Sequence, residues 1–152
     1  MSAHRQSLLV TMDLTAASDF ARANRQSVLV TLRRDGRTQL SNVMHHVDAD
    51  GVVRVSITAT RAKYVNLQRQ PWAALHVTQP DFWAYAVLEG PADVAPVAAA
   101  PDDATVEELV TLYRALAGEH PDWDEYRRVM VDEQRTVVRL RPDHAYGMLA
   151  RG

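Results

Sequence analysis

The first half of the chain alternates hydrophobic and polar residues, a pattern typical of strands that bury one face. The clearest run is residues 27–32, rich in β-branched side chains, and the Asp35-Gly36 pair that follows suits a tight hairpin turn. A second pair, Asp50-Gly51, predicts the next turn. Extending this reading to the end of the chain predicts six strands, at residues 27–32, 38–48, 52–58, 72–77, 82–94 and 136–140.

Apolar residues recur at helical spacing in other segments. The clearest case spans residues 105–116, where Thr105 and Glu108 have the spacing of a capping box. Further helices are predicted at residues 14–23, 61–70 and 122–131. Hairpin-linked strands with few helices indicate an α+β fold, a six-stranded antiparallel barrel in a single domain over residues 1–152.

Composition narrows the classes of function. Of 152 residues 47% are hydrophobic and 24% charged, and the net charge is −2, which does not favour nucleic acid as a partner. No apolar run approaches the roughly 18 residues of a membrane span, so we expect a cytoplasmic protein. The chain has no cysteine, which excludes thiolate metal sites and Cys nucleophiles. Any redox chemistry must therefore come from a bound cofactor.

The charged residues indicate one anion site. Lys63 is the only lysine among 17 Lys and Arg residues, and it stands with Arg61 where a strand gives way to a helix. Cations at a helix start suit a phosphate or carboxylate, although a solvated helix start would look the same. On the strands, Ser56 and the run of Gln39, Ser41 and Asn42 add polar groups. These residues either face water on an edge strand or line a groove for a polar heterocycle.

Two further groups have competing interpretations. By the strand period of two, Trp83 and Tyr85 share a face. They form either part of the core or a platform on which a flat ring stacks, within one chain or across a subunit interface. His45 and His46 are adjacent on a strand and point to opposite faces, which disfavours a shared metal ion. The sequence predicts no metal site.

Four separated motifs resemble a known family. They are Asp35-Gly36-Arg37-x-Gln39-Leu40-Ser41-Asn42-Val43, Arg61-Ala62-Lys63-x-x-Asn66-Leu67, Trp83-x-Tyr85-Ala86-Val87-x-Glu89-Gly90 and Tyr113-Arg114-x-x-Ala117-Gly118-Glu119-His120. With this spacing the chain resembles the actinobacterial flavin and deazaflavin oxidoreductases of the pyridoxamine 5'-phosphate oxidase-like superfamily. The resemblance implies a homodimeric FMN-binding split β-barrel with cofactor grooves at the dimer interface.

The resemblance also implies the deazaflavin F420 as cofactor, whose reduced form delivers a hydride to a small organic substrate. Arg61 and Lys63 would hold its phosphate and acidic tail, with Ser56 and Asn66 flanking that end of the groove. Three residues of the second strand, Gln39, Ser41 and Asn42, would meet the ribityl chain and ring edge. The remaining two, Trp83 and Tyr85, would close the site, either from the same chain or from the partner subunit.

One departure from the superfamily pattern bears on the activity. The second strand has no counterpart of the flavin-phosphate motif, an Arg followed by an apolar triplet and Lys, which argues against vitamin B6 oxidase activity. The ending Arg139-Leu140-Arg141-Pro142 does match the superfamily, so FMN stays open as cofactor. The alternatives to an F420-dependent reductase are an FMN-dependent oxidoreductase and a non-catalytic F420 carrier.

Overall fold

The computed structural model describes residues 11–149, and within that range it has four helices and eight strands. In chain order they are α1 (Leu14–Ala23), β1 (Gln26–Leu32), β2 (Thr38–Met44), β3 (His46–Val47), β4 (Val53–Thr58), α2 (Ala62–Arg69), β5 (Trp72–Thr78), β6 (Tyr85–Val94), α3 (Ala104–Ala117), α4 (Trp123–Asp132), β7 (Arg135–Leu140) and β8 (His144–Met148). The α+β class and the predicted helices are confirmed. The prediction of six strands is wrong.

The strands form one antiparallel sheet in the order β2-β1-β5-β6-β7-β4-β3. Strand β6 pairs with β5 along one edge, and with β8 and then β7 along the other. The path begins on β2 and ends on β3, and only His45 separates these two strands in the chain. The sheet therefore curls back on itself as a half-barrel, compatible with a split barrel.

His45 marks the break in the long strand predicted at residues 38–48. Its side chain is fully buried, with Nδ1 2.6 Å from the Ser27 hydroxyl and Nε2 2.8 Å from the Ala21 carbonyl. The chain then leaves β1 and pairs with β4. Alternation of buried and exposed residues continues through the break, so the sequence pattern could not reveal the change of partner.

The other errors lie around β6. The predicted strand at residues 82–94 starts too early, because Phe82 has φ 70° and Trp83 lies in the turn before Tyr85. Strand β8 was missed altogether. Its Gly147 passes so close to β6 that a Cβ there would lie 2.3 Å from the Tyr85 carbonyl oxygen.

Two clusters of buried apolar side chains hold these elements. The larger lies inside the curled sheet and includes Leu29, Ile57 and Leu88, while the smaller joins α3 and α4 to the outer face of β7. The predicted capping box is wrong, since the N-cap lies two residues before Thr105, at Asp103, whose carboxylate accepts from the Val106 N–H at 2.8 Å. Among residues 11–149, no helix is long and apolar enough to cross a membrane.

Candidate functional site

The curled sheet is open between β2 and β4. Within residues 11–149, β2 pairs only with β1, and β4 pairs with β3 only through Val53 and Arg54. The remainder of β4 is paired with β7 on its other edge alone. The free edges of β2 and β4 thus border one opening, which begins at His45 and which we call the split.

The polar residues of β2 lie beside the split on both faces of the strand. Gln39 and Ser41 are opposite Thr31 and Leu29, whose side chains are buried inside the barrel, whereas Asn42 is exposed on the outer face. The Gln39 side-chain oxygen accepts from the Arg33 Nε at 3.2 Å. This places amide and hydroxyl groups along one border of the split.

The predicted cation pair stands at the end of β4, where the chain turns into α2. Arg61 is the exposed N-cap residue of that helix and Lys63 is half-buried in its first turn. In the part of the chain that the structure describes, neither side chain has a hydrogen bond or an ion-pair partner. Burial lowers the pKa of Lys63, and the charges of Arg61 and Arg135 lower it further. An anion bound here would offset this repulsion and would also be favoured by the helix dipole.

Arg135, which the sequence analysis missed, joins this site from β7. Its Nη1 lies 3.4 Å from the Ser56 hydroxyl, on the outer face of β4, and its Nε donates to Glu133 at 2.9 Å. Nothing in the local pattern distinguishes this arginine from the others. The pairing of β7 with β4 is what brings it near Ser56 and Lys63.

Asn66 forms its hydrogen bonds within the protein. It is buried, and its Nδ2 donates to the Thr31 hydroxyl at 3.2 Å while its Oδ1 lies 3.4 Å from Arg69 Nη2. Arg69 also donates to the carbonyl of Leu32 at 2.6 Å. These contacts dock α2 against the end of β1, so the hairpin that follows β1, with its three arginines, lies on the same side of the molecule as α2. The arginines are Arg33, Arg34 and Arg37.

Trp83 and Tyr85 lie away from the split within one chain. Strands β1 and β5 stand between β2 and β6, which carries Tyr85 on its outer face. The Tyr85 ring is 5.6 Å from that of His76, and Trp83 is 56% exposed. The outer face around them also exposes Leu40, Met44 and Met148. Within this chain the two aromatic residues belong to an exposed apolar surface.

Proteins with this architecture are known from solved structures. No family model matches the sequence. A solved structure named F420 reductase is similar at 24% identity, covering 84% of this chain and 94% of that chain with a TM-score of 0.63. A pyridoxamine 5'-phosphate oxidase-related, FMN-binding protein from Nostoc punctiforme is similar at 16% identity, covering 91% and 81% with a TM-score of 0.57. The chain shares its fold with these two proteins.

A similar fold also occurs in a protein named for a different kind of ligand. The heme storage protein HutZ from Vibrio cholerae is similar at 15% identity, covering 93% of this chain and 98% of that chain with a TM-score of 0.66. At identities of 15–24%, these similarities show a shared fold and do not identify the ligand of this chain. The choice of cofactor therefore depends on the residues at the split.

Proposed function

We propose that this protein is an F420-dependent reductase that acts on a small organic acceptor. The proposal rests on Arg61 and Lys63 at the start of α2, beside the split and close to Arg135. Among residues 11–149 neither side chain has a hydrogen-bond or ion-pair partner. The phosphate and carboxylate tail of F420 supply anions for such a site. The structural likeness to a protein named F420 reductase supports the same choice.

The residues present fit this cofactor. Arg61 and Lys63 would bind its phosphate and acidic tail, with Ser56 next to them. The β2 side chains of Gln39, Ser41 and Asn42 would donate to and accept from the ribityl chain and the ring edge. Asn66 would hold α2 in place instead of contacting the cofactor, because its amide is already bonded inside the protein. When bound, the reduced deazaflavin supplies a hydride, and the proton comes from solvent.

The amount of positive charge favours F420 over FMN. FMN carries a single phosphate, for which Arg61 and Lys63 suffice. The arginines of the β1–β2 hairpin extend the positive charge beyond that point, on the same side of the molecule, as the additional carboxylates of F420 require. An FMN-dependent oxidoreductase is the second candidate, and a non-catalytic F420 carrier is the third.

A homodimer is part of the proposal. The outer face of β1, β2, β5, β6 and β8 leaves several large apolar side chains at least half exposed, which is unusual for a monomeric protein. They are Leu40, Met44, Phe82, Trp83 and Met148. A second copy packed on this face would cover them and would bring the partner's aromatic residues towards the split. Sedimentation should therefore show a dimer, and a monomer with full cofactor affinity would contradict the roles of Trp83 and Tyr85.

Titration of the purified protein with F420, FMN and heme tests the choice of cofactor. We expect F420 to bind most tightly, followed by turnover of reduced F420 with a panel of enones, quinones and nitro compounds. Tighter binding of FMN or heme would reject the F420 assignment. Tight F420 binding without turnover on any acceptor would favour the carrier.

The anion site is tested by Lys63→Ala. Loss of a charge-assisted contact should weaken F420 binding by around one to two orders of magnitude. The matched control is Arg128→Ala, which removes an exposed positive charge from α4 and should leave binding unchanged. Equal affinities of the two variants would show that the cofactor does not bind at the start of α2.

A further inference from the structure

A cavity of about 380 Å³ lies under the second half of α3. The first half of this helix packs against Val137 of β7 through Val106 and Leu109. Further along, Leu112 and Leu116 line the cavity instead, opposite Met130 of α4. The walls are therefore mostly apolar, and the volume falls within the range of small-molecule sites.

The cavity adjoins the split. Met44, the last residue of β2, and Ser56 of β4 both line it, and these two strands border the opening in the sheet. A molecule in the cavity would thus lie next to a cofactor bound along the split. Met44 and Met130 contribute flexible thioether side chains that adapt to the shape of a ligand.

The polar groups of the cavity offer donors. Tyr126 is not one of them, because its hydroxyl donates to the Leu109 carbonyl at 3.0 Å and burial raises its pKa to about 12. The Ser56 hydroxyl accepts from Arg135 at 3.4 Å, which leaves its hydrogen for a ligand. Arg135 has N–H groups beyond those that bond Ser56 and Glu133. The walls of this cavity are mostly apolar, so a carboxylate would lose its hydration on entering, and Arg135 already has Glu133 as one partner. A neutral oxygen therefore suits this cavity better than a carboxylate.

We infer that this cavity binds the electron acceptor, and that the acceptor is a neutral, largely apolar organic molecule whose carbonyl oxygen accepts from Ser56 and Arg135. The identification as acceptor rests on the proposed function. The ligand site itself rests on the cavity and its donors.

Equilibrium dialysis with matched bicyclic probes tests this site without cofactor. The probes are 1-tetralone, its parent hydrocarbon tetralin, and 1-naphthoate. We expect 1-tetralone to bind most tightly. Arg135→Gln should weaken 1-tetralone binding by about one to two orders of magnitude, the value of one hydrogen bond to a charged donor, and leave tetralin binding unchanged. Equal affinities for ketone and hydrocarbon, or tighter binding of 1-naphthoate, would overturn the assignment of a neutral carbonyl.

The location is tested by blocking the entrance of the cavity. Ala117→Phe places a ring at the exposed rim and should abolish binding of both neutral probes, whereas Ala104→Phe, at the exposed start of the same helix, should not. Unchanged binding in Ala117→Phe would place the probes elsewhere. F420 affinity is measured in parallel. If the parent protein binds F420 but not 1-tetralone, the acceptor cavity is rejected and the proposed function stands. Probe binding without F420 binding rejects the proposed function and keeps the ligand site.

Discussion

Replacing Glu108 with Gln should destabilise the protein much more than the same change at its neighbour Glu107. Glu108 lies on α3 and faces the outer side of the sheet. Its carboxylate accepts from Arg54 Nε at 2.9 Å and from Arg139 Nε and Nη2 at 2.9 and 2.6 Å. Only 18% of the Glu108 side chain is exposed. Glu107 pairs with Arg127 at the surface and is 57% exposed.

The expected loss for Glu108→Gln is about 2 kcal/mol, between the 0–1 kcal/mol of a surface ion pair and the 3–5 kcal/mol of a fully buried one. The amide keeps one acceptor oxygen, but its NH₂ group must face an arginine donor. Two partly buried guanidinium groups then lose their shared counter-charge. Glu107→Gln should have little effect, because more than half of the Glu107 side chain is exposed to water and Arg127 keeps its hydrogen bond to the Pro101 carbonyl.

Urea unfolding at a fixed protein concentration, followed by circular dichroism, measures both variants. The pH dependence gives a second check. Burial by itself would raise the pKa of Glu108, but the hydrogen bonds from Arg139 and Arg54 outweigh it and hold the pKa below its usual range. The contribution of Glu108 to stability is therefore present above about pH 4.5 and lost as the pH falls. The free energies of unfolding of the parent protein and of Glu108→Gln should then converge in acid. A loss at Glu108 no larger than that at Glu107 would refute this account of how α3 is anchored.

Three other predictions concern the fold and the site. Gly90→Ala should cost about 1–3 kcal/mol in urea unfolding, because a Cβ there would lie 2.7 Å from the Arg141 carbonyl oxygen; a neutral effect would show that the chain between β7 and β8 shifts freely. Burial lowers the pKa of His45, so its contribution to stability is complete above about pH 6.5 and should decline below that pH. Burial also lowers the pKa of the half-buried His46, so the decline is measured by urea unfolding in His46→Gln, where it should persist. F420 affinity should fall with ionic strength, since Lys63 lies near the surface, and a flat response would indicate that ring stacking alone holds the cofactor.

Features that depend on near neighbours in the chain could be predicted from the sequence. Backbone preferences predict the turns at Asp35-Gly36 and Asp50-Gly51. Periods of 2 and 3.6 residues predict the opposite faces of Gln39 and Asn42 and the four helices. The position of Arg61 and Lys63 at a helix start is of the same kind. These properties are local, so the order of residues suffices to predict them.

Tertiary structure decided what depends on the partner of each element. Alternation continues through His45, and only the pairing with β1 on one side and β4 on the other breaks the strand there. Glu108 has the sequence spacing of a capping-box residue, yet its carboxylate binds Arg54 and Arg139, which are 54 and 31 residues away in the chain. These arginines reach it from the sheet on which α3 packs. Arg135 reaches Ser56 and the cavity because β7 pairs with β4. These contacts join residues far apart in the chain, and a periodic pattern carries no information about which distant surface a given face will meet.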